Sequence, residues 1–293
     1  MTRTISITGK DRPELFQKTL TSLLTNDLQG WRITMAIEPG PKAGQFVEIA
    51  DALLKGLDYD IRVNETLLGI SLNPFELIDR NIRNGAELNL CLEEDLLLAP
   101  DATRMALWYQ RNHRPYWLCL CLLAGPCGSA SLISNPRHPR ILFEARTFNA
   151  IGVALRSQEW PLLAAGIWKG EKKPHPLKGG YADWRYGWGW DWSVYGHVAN
   201  HAELRCVQPA TARATHNGPE GTYSKPEFHD KAFGKLALNS QPVEDFELVE
   251  VADLPHEIRS HVHAHEEMAR MLLELEAAEL RHRLGLPPVV KAL

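Results

Sequence analysis

Glu87-Leu-Asn-Leu-Cys-Leu-Glu-Glu-Asp-Leu-Leu-Leu-Ala-Pro-Asp101 is the stretch that decides the fold. An apolar run of this length, 87–92, reads as a buried strand. Three acids follow it at once: Glu93, Glu94 and Asp95. Carboxylates at the end of a buried strand are costly to desolvate unless a cation or hydrogen-bond donors compensate them. The stretch therefore predicts both a core strand and a ligand end.

Toward the N-terminus the same pattern repeats. Strands are predicted at 5–8, 31–37 and 59–63, with helices at 13–25, 44–55 and 73–84 between them. In the first helix Leu15, Phe16, Leu20, Leu23 and Leu24 recur at helical spacing, Pro13 sits in the first turn and Asp11 precedes it as a cap. Such alternation predicts an α/β fold with a mostly parallel central sheet flanked by helices and right-handed crossovers. Ligands of these sheets sit at the C-terminal strand ends. Thr8-Gly-Lys-Asp11, Glu38-Pro-Gly40 and the acidic triplet all fall there.

Toward the C-terminus the pattern is mixed. We predict a helix at 103–112, strands at 116–123, 140–145 and 150–155, and a short helix at 158–165. A basic Gly/Pro loop at 169–180, a helix at 191–202 and a loop at 216–221 follow. A long Glu-rich amphipathic helix at 254–284 ends at Gly285 and Pro287-Pro288. The expected organisation is one domain over 1–240, with halves 1–100 and 101–240, and an acidic helical extension over 241–293.

Composition narrows the class. The 293 residues are 44% hydrophobic and 23% charged, with a formal net charge of −4. No apolar run approaches the roughly 20 residues that span a bilayer. The chain opens directly on a core strand, Thr4-Ile-Ser-Ile-Thr8, which argues against a signal peptide. Five cysteines, three of them in apolar runs, suit buried thiols in a reducing compartment. We expect a cytoplasmic protein with no membrane partner; the sequence does not choose an oligomeric state. Residues 102–190 carry twelve lysines and arginines against four acids, and 241–282 carry eleven acids against three. The first field would steer an anionic ligand.

The triplet suits a hard divalent ion, Mn²⁺ or Mg²⁺, which takes one or two carboxylates and completes its shell from the oxygens of a nucleotide diphosphate. A second candidate is Asp191, within Tyr186-Gly-Trp-Gly-Trp-Asp-Trp192. Trp188, Trp190 and Trp192 would form walls that stack on sugar faces and desolvate the carboxylate, making it a general base. The competing reading makes these tryptophans core and Asp191 a helix cap. His216, in a Gly-bordered loop, is read either as a ligand contact on a closing loop or as an ordinary surface histidine. His261, His263 and His265 read as an exposed polar helix face, and Cys119 and Cys121 as core packing on one side of a strand.

These pieces, in this order, resemble the GT-A glycosyltransferases. The likeness is greatest to the Golgi β-1,2-N-acetylglucosaminyltransferase I group and looser to family 2 enzymes. It spans about residues 5–239 and rests on Asp11-Arg12, the triplet with Leu98-Ala-Pro-Asp101, Asn149-Ala-Ile-Gly152, and Trp190-Asp-Trp192. Arg213-Ala-Thr-His-Asn-Gly-Pro-Glu-Gly221 and Phe228-His-Asp230 complete the set. The resemblance implies a GT-A fold and inverting transfer from a nucleotide sugar, a UDP-sugar being expected. It implies Asp95 as the metal ligand and Glu94 on the sugar or ribose. Arg12 and Glu38 would contact the nucleotide, with Thr8, Glu93 and His216 on the donor side. Asp191 would be the base. The segments before the triplet depart from the family, which leaves base recognition open, and we expect a protein without the anchor and stem of the Golgi enzymes.

The acceptor stays open at this stage. DNA bearing hydroxymethylated bases would match the basic middle segment, with Lys172 and Lys173 as contacts. A glycan or lipid-linked acceptor matches the family equally. A nucleotidyltransferase also uses an α/β sheet with metal-binding acids, but its Gly-rich phosphate loop is not evident in the sequence. A non-catalytic nucleotide-sugar or nucleic-acid binder is the remaining class.

Overall fold

β1 (Thr2–Gly9), α1 (Pro13–Leu23), β2 (Trp31–Ile37), α2 (Ala43–Leu53), β3 (Tyr59–Val63), α3 (Gly69–Arg83) and β4 (Ala86–Glu93) alternate along the first part of the chain. They belong to a computed structural model that describes residues 2–125, 133–168, 190–219 and 226–286. Beyond them come β5 (Leu96–Leu98), α4 (Ala102–Arg111), β6 (Trp117–Cys121), β7 (Ile141–Ala145) and β8 (Val153–Arg156). A helical turn, α5 (Trp160–Leu162), passes into a π turn at Leu163–Ile167. Then follow α6 (Trp190–Asn200), β9 (Arg205–Pro209), β10 (Ala214–His216), α7 (Pro226–Phe233), β11 (Glu247–Leu248) and α8 (His256–Arg283).

The main sheet has the order β11-β7-β9-β6-β8-β4-β1-β2-β3. β3, β2, β1 and β4 are mutually parallel, as the alternation requires. β8 enters antiparallel between β4 and β6, and β6 and β9 are parallel again. Residues of β4 alternate by face. Leu88, Leu90 and Leu92 join the cluster under α1 and α2, and Cys91 joins the one under α3 and α6. Both faces of the central strands are thus covered, which is why these strands read as near-continuous apolar runs. On α1, Phe16, Leu20 and Leu23 are wholly buried. Each contributes about 1.5–3 kcal/mol relative to exposure.

Under α3 the core turns polar. Asn81 donates to Ser6 Oγ (2.9 Å) and Thr34 Oγ1 (2.7 Å), while Thr4 and Ser6 hydroxyls donate to Asn89 Oδ1. The network ties α3 to three strands.

Several expectations need correction. Arg12, not Asp11, occupies the N-cap of α1, and no side chain caps that helix. α3 begins at Gly69 rather than 73, because the Glu38 carboxylate accepts the Leu68 and Gly69 amides at its start. The loop expected from 216 is preceded by a two-stranded antiparallel ribbon, β5·β10. The acidic C-terminal segment adds β11 to the main sheet before its helix begins. His265 is not part of an exposed face: it is 6% exposed, on the stripe Ile258, Val262, His265, Ala269 that α8 turns inward. Burial, with His261 nearby, lowers its pKa to about 4. Cys119 and Cys121 do pack in the core, where Cys119 Sγ lies 3.5 Å from that of Cys206.

Candidate active site at the end of the fourth strand

β1 and β4 are neighbours in register, with Thr8 opposite Glu93. The chain leaving β1 therefore passes directly over the acidic triplet. Gly9 makes this possible: a Cβ there would stand 3.1 Å from Glu94 Oε2 and 2.7 Å from the Phe46 ring. Just beyond, the Lys10 amide donates to Glu94 Oε2 at 2.5 Å and Arg12 Nε donates to Glu94 Oε1 at 2.7 Å. Thr19 of α1 donates its hydroxyl to the Glu94 carbonyl at 2.7 Å, fixing the turn.

Asp95 faces the other way along the turn. Its Oδ2 accepts from Arg12 Nη2 at 2.8 Å and from His216 Nε2 at 2.9 Å. The ribbon explains how His216 arrives: the register pairs His216 with Leu96, and the Asn217 amide donates to the Asp95 carbonyl at 2.7 Å. The Gly218 amide donates to His216 Nδ1 at 3.2 Å, so Nε2 carries the proton shared with Asp95. Behind it, His229 Nε2 donates to the His216 carbonyl at 3.0 Å and the Phe233 ring lies 5.5 Å from the imidazole, both from α7. Gly218 covers the cluster, since a Cβ there would meet Arg12 Nη1 at 3.0 Å and Asp95 Oδ2 at 3.2 Å.

Three polar atoms in this cluster are buried without a hydrogen-bond partner among the described residues: Asp95 Oδ1, an acceptor, Asn217 Nδ2, a donor, and, farther back, His229 Nδ1; the first two lie together at the Asp95 turn. A buried polar atom without a partner costs about 1–3 kcal/mol. Such a pair is complementary to a cation on one side and an anionic oxygen on the other.

Electrostatics agree. Burial opposes the charge of Asp95, but His216 and Arg12 outweigh it and hold the carboxyl below its usual value. Burial raises Glu94, with the Lys10 amide and Arg12 restraining the rise. Burial also raises Glu93, reinforced by the charges of Asp95 and Asp191. Asp191 stands in the first turn of α6, close enough to be felt at Glu93. The structure thus brings Arg12, Glu93, Glu94, Asp95, Asp191 and His216 to one end of the sheet, with Thr8 beside them.

Other candidates lie elsewhere. Glu38 is 3% exposed, and its two oxygens accept from the Leu68 and Gly69 amides at 3.0 and 2.7 Å. Its carboxylate holds the start of α3 instead of facing open space. Trp190 is 3% exposed and stacks on Trp168 at 3.8 Å, with Phe148 at its edge 5.8 Å away. It is a core residue and cannot wall an acceptor cleft. The Trp192 side chain, Trp188, Lys172 and Lys173 lie outside the described residues. Of the basic residues in the middle segment, Arg114 and Arg137 are each 2.8 Å from an acid, Glu144 and Glu257. Their charge is offset within the protein.

Sequence reasoning missed Asn217 and Phe233. The Asn sat in a quoted motif without a role, and the Phe lacked any local pattern that would pair it with His216. Among the described residues the only three ligand-type side chains with atoms within 4.8 Å of one another are Cys119, Cys121 and Cys206. The acidic end is therefore not an all-protein cage, which is how Mn²⁺ and Mg²⁺ commonly bind when phosphate oxygens complete the shell. No helix among the described residues is long and apolar enough to cross a membrane.

No protein-family model matches the chain, and no curated protein is similar to it in sequence. Among solved structures it is similar to the mannosyltransferase PcManGT from Pyrobaculum calidifontis in complex with GDP-Man and Mn²⁺. That match has 14% identity and a TM-score of 0.47, over 75% of this chain and 58% of the other. It is also similar to S. aureus TarS 1–349, at 13% identity and a TM-score of 0.46, over 75% and 61%. The TarS 1–349 complex with UDP-GlcNAc matches at 14% identity and a TM-score of 0.44, over 79% and 64%. The chain spans less than two thirds of the length of each of these structures. What the site can do is read from its own atoms.

Proposed function

We propose that this chain is a metal-dependent glycosyltransferase that moves a hexose or N-acetylhexosamine from a nucleotide sugar, a UDP-sugar first, to a hydroxyl acceptor. The observation that carries it is Asp95. One oxygen of this buried carboxylate is held by Arg12 and His216, and the other, Oδ1, has no hydrogen-bond partner among the described residues. The hard oxygen donors at this strand end suit Mn²⁺ or Mg²⁺, with Asp95 as the residue that would hold it. When bound, such an ion supplies positive charge against the diphosphate that leaves.

The chain's own residues supply the rest. Arg12 is a second cation beside the same carboxylates; burial alone would lower its pKa, but Asp95 and Glu94 outweigh this and raise it. It therefore stays charged and can stabilise the leaving diphosphate. Asn217 Nδ2 is a donor without a partner, suited to a phosphate oxygen. Glu94 is anchored by Lys10 and Arg12 and orients the donor sugar or ribose, with Thr8 and Glu93 shaping its edge. Asp191 takes the proton of the acceptor hydroxyl as that oxygen attacks the anomeric carbon. The bond to the diphosphate oxygen breaks and configuration inverts.

The test is donor binding and hydrolysis by the full chain. A thermal-shift screen of nucleoside diphosphates with Mn²⁺ should show stabilisation that requires both components. Asp191→Asn should keep that binding and lose transfer. Absence of any metal-dependent stabilisation by a nucleoside diphosphate would overturn the reading. Hydroxymethylated DNA is the first acceptor to try; activity on it should fall steeply with added salt.

A further inference from the structure

The ribbon that delivers His216 is very short. β5 and β10 have three residues each and pair only with one another. An isolated pair of this kind is marginal in water, and a one-residue slip would turn every side chain to the opposite face. Something outside the ribbon must set its register.

Each end of the ribbon carries a buried carboxylate held by a nitrogen donor of the opposite strand's flank. At the site end Asp95, just before β5, meets His216, the last residue of β10, at 2.9 Å. At the other end Asp101 Oδ1 meets Arg213 Nε, just before β10, at 2.8 Å, with both side chains 0% exposed. Backbone bonds continue the ladder beyond both strands: Asn217 N to the Asp95 carbonyl, and Ala99 N to the Arg213 carbonyl.

The buried end is anchored to separate parts of the chain. Arg213 donates from Nη1 to the Thr211 carbonyl and from Nη2 to the Pro139 carbonyl, and its guanidinium lies 5.4 Å from the centre of the Phe246 ring. The Arg213 amide donates to the Leu122 carbonyl at 2.8 Å, just past β6. Asp101 accepts from Asn239 Nδ2 at both oxygens and from the Val243 amide at 3.2 Å. A guanidinium fork can satisfy several acceptors in one fixed plane, which an ammonium cannot.

We propose that Asp101–Arg213 is a positioning pair for the active site. It fixes the register of β10 on β5 and thereby holds His216 against Asp95 Oδ2, which leaves Oδ1 turned to the metal and diphosphate. This rests on the functional reading above for what Oδ1 faces, but not for the register itself. Neither residue touches the ligand; both act through His216.

The experiment measures UDP affinity at saturating Mn²⁺ by calorimetry on the full chain carrying Arg213→Met, Arg213→Lys, His216→Ala, and Arg213→Met with His216→Ala. If Arg213 acts through His216, the double variant binds no more weakly than the weaker single one, a non-additive result. Each single loss is expected at ~10–100-fold, the range seen for groups that orient a metal ligand. Lysine should recover only part of it. Losses that multiply, or unchanged affinity in a folded Arg213→Met protein, would overturn the proposal.

Hydrogen exchange of the Asn217 amide gives a readout independent of any ligand. It should quicken in Asp101→Asn while the β1 amides stay protected; unaltered Asn217 exchange in that variant counts against the proposal. If that variant does not fold, Arg213→Lys carries the same test, because it keeps the charge and loses the planar fork: Asn217 exchange should quicken while the β1 amides stay protected, and unaltered exchange counts against the proposal. Wild-type protein that shows no Mn²⁺-dependent UDP binding would sink the functional reading alone, and the exchange result would still decide the clamp.

Discussion

Asp95 and Asp101 flank the same three-residue strand, both are buried, and they are partnered differently. Asp101 has both oxygens engaged, by Arg213, by Asn239 and by the Val243 amide. Asp95 has one oxygen engaged twice and the other not at all. Glu38 belongs with Asp101: buried, and with both oxygens held by amides at the start of α3. A structural carboxylate is saturated by the protein around it. One left short, as Asp95 is, is the carboxylate that our functional proposal assigns to a ligand.

The difference can be broken most forcefully at Arg213. Arg213→Met leaves Asp101 buried without its cation, and the loss of one partner from a buried ion pair costs about 3–5 kcal/mol. The denaturant midpoint should fall accordingly, with the slope unchanged. Asp95→Ala should do the reverse. Metal-dependent donor hydrolysis should drop by ~10²-fold or more, as for removal of a group that stabilises developing charge. Its thermal midpoint should fall by less than that of Arg213→Met, because Arg12 is partly exposed and keeps Glu94 as a partner while Glu93 loses a like charge. A large stability loss in Asp95→Ala would make it a second Asp101, and the distinction would collapse.

Glu38→Gln sharpens the contrast from the other side. Replacing a charged acceptor of two backbone amides should lower stability by about 1–2 kcal/mol, the usual worth of charge-assisted bonds. UDP affinity should stay within ~3-fold of wild type, since coupling between groups without shared partners is small. A larger loss of affinity would return Glu38 to the nucleotide site.

The smallest effect concerns a buried base. His265 has its pKa lowered to about 4 by burial and by His261. Its unfolded imidazole, near the ordinary 6.5, takes up a proton first as pH falls. Stability from this group is therefore complete above about 6.5 and declines as pH drops toward about 4. The effect should be about 1 kcal/mol after allowance for residual solvent. Urea midpoints measured from pH 7 to pH 4 should fall less steeply in His265→Leu than in wild type.

The sequence was most legible where one face of an element met one layer of core. β2 and β3 were placed to the residue because both faces of such strands are apolar or patterned over at least five positions. The triplet was legible as a cluster of buried acids at a strand end, because its acids follow a core strand directly. β5 and β10 were not, because three residues cannot display a period. Which tryptophan of Trp188-Gly-Trp-Asp-Trp192 turns inward depends on Trp168 and Phe148, distant partners that no local pattern names. The amides that Glu38 accepts were not legible, because α3 starts earlier than its periodicity, at Gly69. The burial of His265 was legible and overlooked: its spacing from Ile258, Val262 and Ala269 is that of one helical stripe.

The β5·β10 ribbon also sets an order in time. Asp95 emerges early in synthesis, and its partner His216 follows only after the middle of the chain has been made. Contacts of long sequence separation form late, since closing the intervening loop carries an entropic cost before any contact rewards it. A nascent chain released before residue 213 would have the parallel strands but no histidine, no Asn217 and no clamp. Donor binding is thus expected to appear only when the second half has folded onto the first, making the site a report on completed synthesis.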